Sequence, residues 1–433
     1  MDPWLIGALS FIAFLTLLFL GMPVAFAMGL TGIIGYGLVG GWPHTQVMVG
    51  MIPWDKVTMY SLTVVPLFVL MGTLTFHAGF GRDIYHSARQ WVGHFPGGLA
   101  QATVVGNAIF AAATGSSVAA TATFSKIAVP EMRRHGYDPG LATGSVAAGG
   151  TMAAMIPPSI AMVLYGMITE QSIAMMLIAG FLPGLLEAVT YMVQIYIRTR
   201  LNPRLGGALP AATWRERLAA IKGVGAVLFL VVCVMGSIYT GIATPTEAGA
   251  AGAFGALVLG FATRRLNLRV LWQALIDSTK VVGALFCIVV GAFLFNQMLV
   301  ISHIPDMSTL FIAGLAVPPM VILIGFMILF LILGCFMSGI AIMYLCIPTV
   351  YPITIAMGWD PIWFGIIFIS VYEIGMITPP FGITLFAAKA AIGDISMETI
   401  IRGIGWFLVC DMVRVALLIA FPQIALFLPS TMR

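Results

Sequence analysis

Four short runs in this chain carry residue types able to hold a cation in a dry environment. Gly115-Ser116-Ser117 and Ile156-Pro157-Pro158-Ser159 interrupt two successive hydrophobic segments. Gly334-Cys335-Phe336-Met337-Ser338-Gly339 and Thr378-Pro379-Pro380-Phe381-Gly382 interrupt two more at nearly the same separation. Consecutive prolines withdraw two N–H donors and stop helical hydrogen bonding, which frees carbonyl oxygens; Ser and Thr add hydroxyls. A sodium ion needs a cage of such oxygens, and half-helix N-termini offer N–H groups and a positive dipole end to a carboxylate. One sodium cage is therefore assigned to Gly115, Ser116 and Ser117 with Pro157, Pro158 and Ser159. A second is assigned to Ser338 and Gly339 with Thr378, Pro379 and Pro380. The competing reading is that small residues only let helices pack closely. Recurrence in matching positions of two halves favours the midplane site of a transporter.

The elements that must position these runs are membrane helices. With 60% hydrophobic and 8% charged residues, the chain is no soluble globule, whose charged share is about a quarter. It reads as an all-α polytopic membrane protein with no separate soluble domain. Cys233, Cys287, Cys346 and Cys410 fall inside apolar runs and read as small core residues, neither disulfides nor metal ligands. Met1-Asp2-Pro3-Trp4 lacks the basic start of a cleavable signal, so 4–20 reads as a retained span.

In chain order, the expected spans are 4–20, 22–40 and 57–78, with a polar loop holding Trp42, Trp54, Asp55 and Lys56 before the third. A polar connection runs from Arg82 to His94. Residues 99–129 cannot form one crossing, because non-helical backbone at membrane depth survives only inside protein or against a polar cavity. They read as a re-entrant hairpin with its tip near Thr114–Ser117. Residues 139–168 contain the Pro-Pro break, 173–197 return, and 198–222 form the longest polar loop. Spans 223–239 and 248–261 flank the turn at Thr244–Glu247, an interfacial helix opens at Arg264, and 281–300 cross again. A second hairpin is expected over 311–351, a second broken helix over 361–392 and a last span over 404–428.

Charge supplies an independent check. With the first hairpin returning to the cytoplasmic side and the second to the outside, Arg82, Arg89, Lys126, Arg133, Arg134, the basic residues of 198–222, Arg264, Arg265, Arg269, Lys280 and Arg402 all fall inside. Lys56 and Arg433 fall outside. This satisfies the excess of Lys and Arg expected in cytoplasmic loops, and it gives two repeats of opposite orientation, about 57–197 and 281–428, each with a hairpin followed by a broken helix.

Seven motifs run through nearly the whole chain in one order: Pro66-Leu-Phe-Val-Leu-Met-Gly72, Pro96-Gly-Gly-Leu-Ala100, Gly115-Ser-Ser-Val-Ala119, Pro130-Glu-Met132 with Gly136-Tyr137, Ile156-Pro-Pro-Ser-Ile160, Thr244-Pro-Thr-Glu-Ala248 and Thr378-Pro-Pro-Phe-Gly382. In these the chain resembles the large membrane subunit of the tripartite ATP-independent periplasmic (TRAP) transporters. The resemblance implies sodium-driven uptake of an organic acid across the bacterial inner membrane. It also implies an elevator-type transport domain of hairpins and broken helices on a scaffold of the other spans. The implied partners are a small four-helix membrane subunit and a periplasmic substrate-binding protein. Two positions depart from the family: Ser338 stands where an acidic residue is frequent, and Thr384 where Asn is common.

Other polar residues receive plainer roles. Asp411 and Arg414, three apart on one helix, pair with each other; Glu247 caps a helix; Lys389 snorkels to the inner surface or attracts an anion. Glu187 and Glu373, ionisable groups inside spans, are functional candidates by position. An intramembrane serine enzyme would need a base within reach of Ser116 or Ser117, yet His77, His86, His94 and His135 fall at expected cytoplasmic edges. A passive channel and an ion-coupled transporter working without a binding protein are the remaining alternatives. The charge pattern makes a direct prediction: single cysteines introduced in 198–222 and in 302–308 label from opposite faces of intact cells, and labelling from one face would remove the inverted-repeat reading.

Overall fold

The computed structural model describes residues 2–315 and 317–432, which form helices and no strand. Met1 and Arg433, used above at the two termini, lie outside the described residues. Among the described residues, eight helical stretches are long and apolar enough to cross a membrane.

The chain opens with α1 (Pro3–Phe19) and α2 (Val24–Gly40), separated by Gly21 at φ +88° and Pro23. The expected polar loop after them is instead a helix, α3 (Trp42–Val57), because Pro43 stands in its first turn, where no N–H is needed. After α4 (Val64–His77) the expected connection is also helical: α5 (Phe80–Val92) buries Phe80, Ile84, Tyr85 and Ala88 and turns its charges outward. The first hairpin is α6 (Gly98–Thr114) and α7 (Ser117–Arg134), and the first broken helix is α8 (Pro139–Met155) and α9 (Ile160–Ile168). The return span is divided at Gly180 into α10 (Ile173–Ala179) and α11 (Phe181–Leu201). The polar loop is shorter than expected, because α12 (Trp214–Tyr239) starts early on a Thr213/Glu216 capping box.

A second capping box, Thr244 with Glu247, opens α13 (Pro245–Ala262) and gives Glu247 the structural role expected of it. The interfacial helix and the span after it are one element, α14 (Leu268–Ile301), of 34 residues. No Pro breaks it; Lys280 is exposed and Asp277 half-buried. Its length of about 51 Å exceeds the hydrocarbon thickness of about 30 Å. Next, α15 (Ile304–Ala313) is a separate helix packed on α17, and the second hairpin, expected over 311–351, is α16 (Pro319–Phe336) and α17 (Gly339–Ala356). The second broken helix is α18 (Pro361–Ile377) and α19 (Ile383–Ile392). The last span, α20 (Met397–Ala420), stops at Phe421-Pro422 and is followed by α21 (Gln423–Ser430).

Two packed groups emerge. In one, α14 lies on α2 and α4, α13 on α4, and α12 on α13 and α5. Gly32 and Gly291 let α2 and α14 meet backbone to backbone: a Cβ on Gly291 would stand 2.2 Å from the Ala25 carbonyl oxygen. In the other group α8 and α18, buried along nearly their whole length, form the centre. Small residues let α8 take in α6, α7 and α20, while the aromatic residues of α18 pack on α16, with Phe330 and Phe368 rings 4.7 Å apart. The hairpins and broken helices also exchange partners: α9 packs on α17 and α19 on α7. Cys335 and Cys346 are buried, but Cys233 and Cys287 are exposed on the outer faces of α12 and α14, so those two are not core residues.

A charged cluster locks the second group. Arg414 of α20, wholly buried, pairs with Glu187 of α11, with Asp411 at 3.2 Å and with Glu373 of α18 at 3.5 Å. Tyr191 donates to both Asp411 oxygens at 2.8 Å. The expected Asp411–Arg414 pair thus belongs to a network joining three helices. Removing one partner of a buried pair costs about 3–5 kcal/mol. Arg414→Met, which strands three carboxylates, is expected to lose at least that. Glu373→Gln should cost much less, since neither Glu373 oxygen makes a hydrogen bond. Melting of both variants in one detergent checks this, and equal losses would contradict it.

Candidate functional site

The four interruptions are built by the same local rules. Helix α6 ends on Gly115 at φ +59°, a conformation that favours glycine, with its N–H returned to Ala111 O. Ser116 then caps α7, its Oγ accepting from Ala119 N at 3.4 Å. In the same way Ser338 caps α17 by accepting from Ala341 N at 3.4 Å, and Ser159 caps α9 by accepting from Met162 N at 3.5 Å. The second break differs: Gly382 precedes α19 and supplies no side-chain cap.

Both proline pairs strip the helix before them of donors. The carbonyls of Ala153 and Ala154 lie four residues before Pro157 and Pro158, and those of Gly375 and Met376 four before Pro379 and Pro380. Neither proline of a pair has an N–H to give. A hydroxyl fills one vacancy in each break: Ser159 Oγ donates to Ala154 O at 2.5 Å, and Thr384 Oγ1 donates to Met376 O at 2.9 Å. Both side chains are fully buried. Gly375 O is reached by Thr378 N at 3.1 Å. Thr384, noted in the sequence only as a departure, is therefore the counterpart of Ser159.

The first tip lies on the first break, where a Cβ on Gly115 would stand 3.1 Å from Pro158 O. The second tip is held slightly before the second break. A Cβ on Gly334 would stand 2.9 Å from Gly375 Cα, Gly339 abuts the Tyr372 ring, and the Phe336 and Phe381 rings are 4.9 Å apart. Ser117 is buried and makes no hydrogen bond through its side chain.

Cavities reach these elements from opposite ends of α9. One of about 210 Å³ is lined by Gly72, Thr73 and His77 of α4, by Thr114 and Ser116 of the first tip, by Ile160 at the start of α9 and by Asp277 of α14. His77 therefore shares a cavity with Ser116, closer than the sequence suggested. It is engaged at 3.0 Å by Asp277 and makes no hydrogen bond to either serine. A second cavity, about 380 Å³, is lined by Lys56, Asn296, Tyr344 and Tyr351, by Met167 and Ile168 at the other end of α9 and by Glu170 just beyond it. Lys389 is occupied elsewhere: its Nζ donates to Gly393 O at 2.7 Å and Ile395 O at 2.8 Å, closing the end of α19.

The family model for the tripartite ATP-independent periplasmic transporter, DctM component, matches residues 11–424. The chain belongs to that family. It is 37% identical over 372 residues, 86% of each chain, to the C4-dicarboxylate TRAP transporter large permease protein DctM of Pseudomonas aeruginosa. It is 32% identical over 425 residues, 97% of this chain and 98% of the other, to the sialic acid TRAP transporter large permease protein SiaM of Vibrio cholerae. Among solved structures, the YdaH transporter of Alcanivorax borkumensis, described as having an unusual topology, superposes with a TM-score of 0.62 over 89% of this chain and 90% of that one. At 14% identity that likeness speaks for the fold alone. This DctM-family protein is thus a large permease subunit of the inner membrane and not an enzyme.

Three residues of the permease carry site geometry that sequence reasoning gave no role. Gly72 lay within a recognised motif. Its missing side chain is what lets α4 touch the first tip, because a Cβ there would stand 2.7 Å from Thr114 O. Asn107 Oδ1 and Thr121 Oγ1, wholly buried in the first hairpin against Gly149 and Gly150 of α8, have no protein partner. Neither is marked by a break, so only the packing reveals them. Gly72→Ala is expected to displace the first tip at an overpacking cost of about 1–3 kcal/mol and to reduce uptake. Gly50→Ala, with nothing within 4 Å, should change neither. Unaltered melting and uptake in Gly72→Ala would show that α4 does not hold the tip.

Proposed function

We propose that this permease imports an organic acid by coupling its entry to sodium. Its substrate would be delivered by a periplasmic binding protein, and a small four-helix membrane subunit would complete the assembly. The class of substrate follows the relatives, whose names specify C4-dicarboxylates and sialic acid. Residues 57–197 and 281–428 act as the two inverted repeats. Their hairpins and broken helices form the mobile transport domain of an elevator, and α1–α4 with α12–α14 form the scaffold.

The observation that carries the sodium reading is the matched arrangement at the two proline breaks. The first leaves the Ala153 and Ala154 carbonyls, and the second the Met376 carbonyl, four residues before a proline that has no N–H to give, beside a buried hydroxyl, Ser159 in one and Thr384 in the other. Oxygens so placed at membrane depth suit a hard monovalent cation, and the tip residues Gly115, Ser116 and Ser117 add to the first set. Ser338 and Gly339 with Thr378, Pro379 and Pro380 would hold the second. Lys56 in the cavity at the far end of α9 supplies a positive charge on the side where an anion would enter.

Ser117→Ala is the cleaner probe of the first cage, since Ser159→Ala also strands Ala154 O. Every 1.4 kcal/mol of lost ion binding is tenfold in affinity. Uptake by the reconstituted three-component system should therefore need about tenfold more sodium for half-maximal rate in Ser117→Ala, before the maximal rate falls. An unshifted sodium curve would overturn the first cage, and uptake indifferent to a sodium gradient would overturn the coupling.

A further inference from the structure

A cavity of about 340 Å³ lies between α5 and α7, well away from both breaks, and its lining is unusually basic. Helix α5 contributes Arg82, His86 and Arg89, and α7 contributes Lys126, Glu131 and Arg134. The one acid is already engaged: Glu131 accepts from Arg89 at 2.8 Å and stands 4.0 Å from His135. The nearby Asp83 is paired with Arg265, and Asp394 with Arg133. Among the described residues Arg82, Lys126 and Arg134 have no carboxylate within ion-pair distance. Three uncompensated cations around one concavity repel each other, and an anion relieves that repulsion. The lining also holds Tyr85, 5% exposed, whose hydroxyl has no hydrogen-bond partner among the described residues.

The depth of the cavity identifies the anion. Helix α5 is amphipathic, with one face buried on the hairpin and the other charged, as befits a helix lying in a membrane surface. At its end Trp91 meets Trp214 of α12 edge to face at 6.3 Å, and the Arg217 guanidinium lies 5.9 and 5.3 Å from the two rings. Such aromatic residues settle at headgroup level. The Lys/Arg excess makes this the cytoplasmic leaflet, whose lipids are anionic. Ile127 and Pro130 give the cavity an apolar wall alongside its cations. We propose that the space between α5 and α7 is a binding site for the phosphate headgroup of an anionic phospholipid of the inner leaflet, held by Arg82, Lys126 and Arg134. One bound lipid then bridges the surface helix and the second arm of the first hairpin. This site is independent of the sodium reading.

The test uses the full chain in a neutral detergent, with phosphatidylglycerol titrated in and retained lipid counted by native mass spectrometry. The wild-type protein should hold phosphatidylglycerol and release phosphatidylcholine of the same acyl chains. Arg82→Gln/Lys126→Gln/Arg134→Gln should weaken that retention about tenfold or more, whereas Arg204→Gln/Arg215→Gln/Arg402→Gln, equal in charge change, should not. If the first triple variant does not fold, as judged by melting, Arg134→Gln alone gives the same reading with a smaller loss. Equal loss in the two triple variants would reduce the effect to general surface charge and overturn the site. Retention unchanged in the first would overturn it directly. Displacement of the lipid by millimolar inorganic phosphate or by succinate would assign the cavity to a soluble anion and overturn the lipid reading.

Discussion

A main chain that is broken at membrane depth must satisfy its own polar groups, because hydrocarbon offers none. This permease breaks its helices four times and meets that requirement with very few side chains. Ser116, Ser159 and Ser338 each cap the helix that follows, and Ser159 and Thr384 also reach back to a carbonyl orphaned by proline. Everything else in the core follows from keeping these places dry. The tips are covered by the breaks of their own halves, and each half-helix after a break is covered by the hairpin of the other half. The two halves are nevertheless not chemical copies. Gly382 leaves the second break uncapped, so its first N–H groups are the more available ones.

Covering the breaks demands close approach, and close approach demands small residues. Gly140 and Gly144 of α8 meet Gly403 of α20, where a Cβ on Gly403 would stand 2.0 Å from Gly140 O. Helices that near each other cannot be held by bulky apolar contacts alone, and lipid gives no hydrophobic drive to press them together. The Arg414 network supplies direction instead. It is reached from α11, α18 and α20 at once, and any relative shift of these helices would separate charges in a region of low dielectric. The centre of the second packed group is thereby made stiff.

Much of this was legible in the residues. The glycine, serine and proline runs mark all four interruptions because each violates the apolar pattern around it. Thr244 and Glu247 announce their capping box by spacing alone. Other features have no local signature. Trp42-Pro43 and the polar residues near Lys56 look like a loop although proline in a first turn is compatible with helix. The charged residues of α5 hide an amphipathic period. The interfacial helix opened at Arg264 and the span over 281–300 looked like two elements, although no proline separates them and the structure joins them in α14. Glu187 and Arg414 are separated by 227 residues, so their pairing belongs to tertiary structure alone. Thr384 acquires its meaning only from the carbonyl it reaches.

Helix α9 sets the scale of the barrier in this arrangement. Its start lines the cavity beside Ser116, and Met167 and Ile168 at its end line the cavity beside Lys56. With 9 residues it spans about 13 Å at 1.5 Å per residue, less than half of the hydrocarbon thickness of about 30 Å. The proline break produces that shortness, because a continuous helix from Pro139 to Ile168 would carry one unbroken wall across the whole membrane. The same interruption that takes N–H donors from main-chain carbonyls therefore also shortens the helix that separates the two cavities. A thin septum holds only if it does not leak. Tyr165 in the middle of α9 is fully buried, donates to Pro361 O at 2.8 Å and lies against Phe368, which ties the septum to the rigid centre of the second group.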